Sequence, residues 1–144
     1  MKKLASLIAL AAIALIPFSG CTTDVGVKNQ YNNDNGQYDS FGNFTTKYPG
    51  KTLEEVFNAS LKGVDQVYGA GRRVGENRPD GKPNSPKTYE IWARVAGDIK
   101  ITVTIGTVRD EKTKTEWTQV STQYGAFGNL KESQKLIAAI SGNL

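Results

Sequence analysis

Apolar and polar residues alternate most strictly between positions 89 and 105. Tyr89, Ile91, Ala93 and Val95 alternate with Glu90, Trp92 and Arg94; after Ala96-Gly97-Asp98, Ile99, Ile101, Val103 and Ile105 alternate with Lys100, Thr102 and Thr104. A period of two with one apolar set is the mark of a half-buried strand, and two such runs around a tight turn predict an antiparallel hairpin. After a second turn, "RDEKTK", the run "TEWTQVSTQY" predicts a further strand. There Trp117 falls on one face and Val120 and Tyr124 on the other, so the alternation leaves the register open, with a bulge as one way to reconcile them. "NFTTKYP" predicts a short strand ending at Pro49, and Arg72-Arg73-Val74 a second short one. Between that strand and the hairpin lies "GENRPDGKPNSPK", a loop with three prolines.

Two stretches change period. Thr52-Leu53-Glu54-Glu55 is a capping box: the threonine hydroxyl accepts from a backbone N–H one turn on, and the Glu55 carboxylate reaches back. Leu53, Val56, Phe57, Leu61, Val64, Val67 and Tyr68 then recur at helical spacing, and Gly69 and Gly71 end the helix. Asn129 and Glu132 repeat the capping spacing, and Leu130, Leu136, Ile137, Ile140 and Leu144 line one side of a final helix. The order is therefore strand, helix, further strands, helix. Tight turns between strands imply antiparallel pairing, and each strand has one apolar face to cover. The pattern predicts an α+β domain over residues 42 to 144, an antiparallel sheet of four to five strands covered on one face by two helices as a two-layer sandwich. A domain of this size buries about two-thirds of its unfolded-chain surface, enough for stability without disulfides.

The start of the chain follows other rules. Lys2 and Lys3 precede residues 4 to 18, which are apolar except for Ser6; Ser19, Gly20 and Cys21 follow. The apolar run is shorter than the ~20 residues of a spanning helix and predicts a secretory signal over residues 1 to 20. Phe18-Ser19-Gly20-Cys21 resembles the lipobox of bacterial lipoproteins. That resemblance implies cleavage before Cys21, a diacylglycerol thioether on its sulfur and an acyl chain on the new amine. One acyl chain binds membranes only marginally, with a constant of about 10⁴ M⁻¹, whereas two or three on one residue hold permanently. Thr22 is not aspartate, which by resemblance to enterobacterial sorting rules favours the outer membrane, with the domain facing the periplasm. Residues 22 to 41, rich in Asn, Asp, Gly and Gln and without period, predict a flexible tether with a span of ~25 Å.

Composition narrows the chemistry. The chain has 18 Lys and Arg against 14 Asp and Glu; losing residues 1 to 20 removes Lys2 and Lys3 and leaves 16 against 14. That excess is too small to argue for nucleic acid. With no histidine and a single cysteine, a Ser-His-Asp triad, a Cys-His dyad, an imidazole metal ligand, a zinc cluster and an internal disulfide are all excluded. "YNNDNG" fails as a calcium loop, because Gly36 at the sixth position puts Tyr31 at the first. "GAGRRVG" follows a helix and precedes a strand, the reverse of a phosphate-binding loop. Glu54 and Glu55 are accounted for by the helix N-terminus, and Asp98, Asp110 and Glu111 sit in turns. No cofactor fingerprint and no paired acids emerge, so the chain reads as non-enzymatic. The candidate binding face is the side of the sheet away from the helices, where Trp92, Arg94, Lys100, Thr102 and Thr104 should point. A tryptophan beside cations suits an anionic glycan, a lipid headgroup or a protein; the competing reading is that the Arg and Lys stems simply cover the indole.

"KYPGKTLEEVFNASLKGV", "YEIWARVAGDIKITVTI", "TEWTQVSTQYGAFGN" and "SQKLIAAISGNL" together resemble a family of small bacterial lipoproteins known as domain of unknown function 3568. The resemblance covers residues 42 to 144 and rests on Tyr-Pro before the first helix, the hairpin around Gly97-Asp98, Gly125 and Gly128, and the terminal Asn-Leu. It implies a lipid-anchored envelope protein and brings no catalytic residues with it. The expected role is a binding or structural domain held to the membrane through Cys21, with an envelope protein or glycan as partner. The alternatives are an accessory subunit of an envelope assembly and a hydrolase working through carboxylates or lysine.

Overall fold

The computed structural model of the chain describes residues 22 to 25, 36 to 84 and 87 to 144. In chain order these form β1 (Thr22–Val25), β2 (Gly36–Asp39), β3 (Asn43–Tyr48), helix α1 (Leu53–Tyr68), a 3-10 turn (Ala70–Arg72), β4 (Arg73–Asn77), β5 (Tyr89–Val95), β6 (Ile99–Arg109), β7 (Glu116–Tyr124) and helix α2 (Leu130–Gly142). The predicted signal over residues 1 to 20, Cys21 and residues 26 to 35 of the predicted tether lie outside the described residues. All strands pair antiparallel in one sheet of order β1-β2-β3-β7-β6-β5-β4.

The α+β class and the two helices match the periodicity, but the sheet is larger than four to five strands. Six strands lie between Gly36 and Tyr124, and Thr22–Val25 joins the edge beside β2. The excess comes from segments with no alternation to read. "GQYD" contributes one apolar residue, Tyr38, and is held by backbone pairing to β3 and by the turn that follows it. Sheet structure thus begins upstream of residue 42.

The core follows from the period of two. Phe44 and Tyr48 on β3, Val120 on β7, Ile101, Val103 and Ile105 on β6, and Ile91 and Ala93 on β5 all point to one face and are buried. Val56, Phe57 and Val64 of α1 and Leu136, Ile137 and Ile140 of α2 close over them. The predicted capping box is present: Thr52 N donates to Glu55 Oε2 at 2.8 Å, and Glu55 N donates to Thr52 Oγ1 at 3.2 Å. Asn129 Oδ1 likewise accepts from Glu132 N at 3.2 Å at the start of α2. The helices meet at Gly63, where a Cβ would stand 2.8 Å from Ile140 Cγ1. A glycine inside a helix costs about 0.5–1 kcal/mol against alanine; here it lets the two backbones approach. Tyr48 reaches across to α2, its hydroxyl 2.8 Å from Ser141 Oγ, and burial pushes its phenol up to about 12 despite that bond.

The register of β7 is regular. It pairs with β6 from Ile101↔Tyr124 to Arg109↔Glu116 without a shift, and Thr118, Val120 and Thr122 point into the core. Trp117 breaks the alternation because it lies on the uncovered face, under the Lys47 ammonium 4.5 Å from its ring centroid. The one irregularity falls instead on β4, between Arg73 and Gly75.

This packing sets a clear expectation for stability. Ile101→Ala removes a buried side chain and should cost ~2–5 kcal/mol in denaturant unfolding, while a polar change at Thr102, facing the other way, should stay within about 0.5 kcal/mol. Equal losses at both positions would mean that both faces of the sheet are covered.

Candidate functional site: the open sheet face

Among the described elements both helices pack on one face of the sheet, and the opposite face carries neither. The strand registers line up its side chains in rows. One row runs Gln37, Thr45, Ser121, Thr104, Glu90 and Asn77 across six strands. Adjacent strands are spaced about 4.8 Å apart, so such a row presents hydroxyl, amide and carboxylate groups at near-regular intervals. Thr45 Oγ1 donates to Ser121 Oγ at 3.4 Å within it. The next row contains Asn43, Gln123, Thr102 and Trp92.

All three predicted site residues lie together on this face. Trp92 pairs with Thr102 and Gly75, and Arg94 stands opposite Lys100. Gly75 carries the indole, since a Cβ there would be 3.1 Å from Trp92 Cε3. The Lys100 ammonium is 6.0 Å from the Trp92 centroid, at the outer limit of a cation–π contact. Arg94 is engaged elsewhere: its Nη1 donates to Asp98 Oδ1 at 2.9 Å and to the Asp98 carbonyl at 3.3 Å, bracing the β5–β6 turn where Gly97 and Asp98 have φ of 80° and 57°. Lys100 and Thr102 border a hollow of about 440 Å³ shared with Gln123 and Gly125. The face therefore offers hydroxyl, amide and carboxylate groups and two half-buried indoles, Trp92 and Trp117, each with a lysine near its ring.

Neither Phe41 nor Phe127 stood out in the sequence, yet both are large apolar side chains left in water, 74% and 91% exposed. Each belongs to a Phe-Gly-Asn tripeptide, Phe41-Gly42-Asn43 and Phe127-Gly128-Asn129, and this repeat was the available signal. The first forms the β2–β3 turn. Asp39 Oδ1 accepts from Phe41 N at 2.9 Å and from Asn43 N at 2.8 Å, Asp39 Oδ2 accepts from Asn43 Nδ2 at 2.9 Å, and Gly42 N donates to the Asp39 carbonyl at 3.2 Å. Burial raises the Asp39 pKa, but these donors, with the Asn43 side chain first, outweigh it and hold the carboxyl below its usual value.

Other chemistry is sparse among the described residues. No group of three or more His, Cys, Asp or Glu is placed to hold a metal, and no helix is long and apolar enough to cross a membrane. Tyr89 donates to Glu54 Oε2 at 3.2 Å, and Arg78 pairs with Glu54 at 3.1 Å, which ties the helix start to the sheet.

The class defined so far is a small α+β domain with one sheet face packed and one open. The chain belongs to the family described as protein of unknown function (DUF3568), whose model matches residues 3–143. No curated protein matches the chain.

The Asp39 turn gives a pH-dependent expectation. A carboxyl whose folded pKa lies below its unfolded value stabilises fully above the unfolded value, 3.8 for this residue, and loses that contribution as pH falls through the folded value. Asp39→Ala should therefore lower the unfolding midpoint at neutral pH, and its deficit against wild type should narrow in acid. A deficit that is constant or widens toward low pH would contradict this account of the turn.

Proposed function

We propose that the protein is a lipid-anchored lipoprotein of the bacterial cell envelope, held through Cys21 in the outer membrane, with a periplasm-facing domain that binds a partner and does no chemistry of its own. The observation that carries the reading is the first stretch of the chain: Lys2 and Lys3, an apolar run too short to span, then Ser19-Gly20-Cys21. A thiol with no second cysteine to pair with is well explained as an attachment point.

For the domain, the open face supports binding. Its rows of Thr, Ser, Asn and Gln suit the hydroxyls of a glycan or the backbone of an envelope protein, and Trp92, like Trp117 beside Lys47, supplies a large aromatic surface next to a cation. Aromatic anchors dominate interface energies because they bury much area at low rotamer cost.

Metabolic labelling with a clickable fatty acid tests the anchor. Wild type should take up the label, and Cys21→Ser should take up none and be released from membranes or left unprocessed. A wild-type protein that is unlabelled yet membrane-bound would overturn the lipoprotein reading. The face is tested separately. Trp92→Ala should weaken crosslinking to the partner in intact cells and leave the melting temperature nearly unchanged. Unchanged crosslinking with a melting temperature several degrees lower would make Trp92 a packing residue.

A further inference from the structure

The two Phe-Gly-Asn turns meet back to back. A Cβ on Gly42 would overlap the Phe127 carbonyl and lie 2.6 Å from Gly128 Cα, and a Cβ on Gly128 would lie 2.7 Å from the Tyr38 hydroxyl. Both glycines have positive φ, 84° and 77°. Gln123 fastens the pair, its Nε2 donating to the Phe41 carbonyl at 3.1 Å and to the Ala126 carbonyl at 3.5 Å. Two exposed phenyl rings are thus carried by a rigid double turn. Two such rings on adjoining turns make a small exposed apolar surface, which a single exposed ring would not.

The end of the sheet at which they lie is also where the chain enters. Thr22 pairs with Asp39, the residue that builds the Phe41 turn, and Asn43 pairs with Gln123. Cys21 immediately precedes Thr22 in the sequence. The same end carries exposed Arg72 before β4, Lys100 after the β5–β6 turn and Lys131 in the first turn of α2, besides Arg94, which is paired with Asp98.

We propose that the double turn is a membrane-resting surface, which beds Phe41 and Phe127 into the headgroup region of the bilayer that holds the acylated Cys21, with Arg72, Lys100 and Lys131 over anionic headgroups. The inference rests on the lipid-anchor reading above and adds an orientation to it. A membrane fits better than a protein partner. Two phenyl groups bury at most about 150–250 Å² each, well short of the ~800 Å² that each partner gives to a stable protein interface. A patch this small would not capture a free protein from solution. It suffices for a protein already tethered, because the anchor supplies the local concentration and the rings need only choose which end of the domain faces down. Basic residues beside an anionic surface add to that choice.

Photocrosslinking in living cells tests this on the full-length protein. Phe41, Phe127 and, as a control at the opposite end of the sheet, Lys112 are each replaced by benzoylphenylalanine in cells whose phospholipids carry radioactive phosphate. Fatty-acid labelling is read on the same samples. The surface predicts phospholipid adducts at positions 41 and 127, several-fold above those at 112. Adducts to a protein at 41 and 127, or equal phospholipid adducts at all three positions, would overturn it. A chain that carries fatty acid but gives no phospholipid adduct at 41 or 127 overturns the surface and leaves the anchor standing. A chain without fatty acid overturns the anchor, and the adducts then judge the surface alone: present at 41 and 127 they support it, absent they overturn it.

Discussion

Gly42 and Gly128 lie so close that neither backbone leaves room for a side chain on the other. The contact joins residues far apart in sequence at the point where the β2–β3 hairpin meets the start of α2. Gly42 closes the β2–β3 hairpin, and Gly128 immediately precedes Asn129, the N-cap of α2. The contact therefore fixes where α2 leaves the sheet. From that start α2 runs back along the core so that Ile140 settles on Gly63 of α1 and Ser141 reaches Tyr48. A second glycine-permitted approach, between the helices, thus depends on the first. Both exist because a side chain is missing, and both use backbone proximity to set the position of a buried apolar stripe.

The consequences reach the two surfaces. With both helices committed to one side, the other side of the sheet is left as an uncovered polar field whose organisation comes from strand register alone. Of the two indoles on that face, Trp92 is seated by a third glycine, Gly75, next to the register shift of β4. Arg94 spends its charge on Asp98, so the turn beside the indole is stiff and Lys100 is the cation left near the ring. At the end of the sheet the same interlock that starts α2 pushes Phe41 and Phe127 outward. Packing and display are two results of one backbone contact.

Much of this was legible in the sequence where local period and burial agree. Ile91, Ile101, Val103 and Ile105 alternate because one face of the central hairpin is dry, and parity alone put Trp92, Arg94 and Lys100 on the other face. Thr52 and Glu55, and Asn129 and Glu132, announced the helix starts because caps are local hydrogen bonds. What was illegible is held by distant partners. β2 has one apolar residue and is defined by its neighbour β3 and by Asp39. Trp117 contradicts a simple in-out reading because Lys47, seventy residues earlier, shields its ring. The role of Arg94 depends on Asp98 across a turn, and the seat of Trp92 on a strand reached through a long loop. The paired Phe-Gly-Asn turns carry no period at all; only their contact in space gives them meaning.

A double-mutant cycle at the glycine contact tests its governing role most directly. Gly42→Ala and Gly128→Ala each force the same two turns apart, so once one is made the second has less contact left to lose. Equilibrium unfolding of the wild type, both single variants and the double variant should show the double destabilised by less than the sum of the singles, with a coupling in the range of about 0.5–3 kcal/mol found for residues in contact. Losses that simply add would mean that each glycine serves only its own positive φ, and that the start of α2 and the display of the two phenylalanines are set independently.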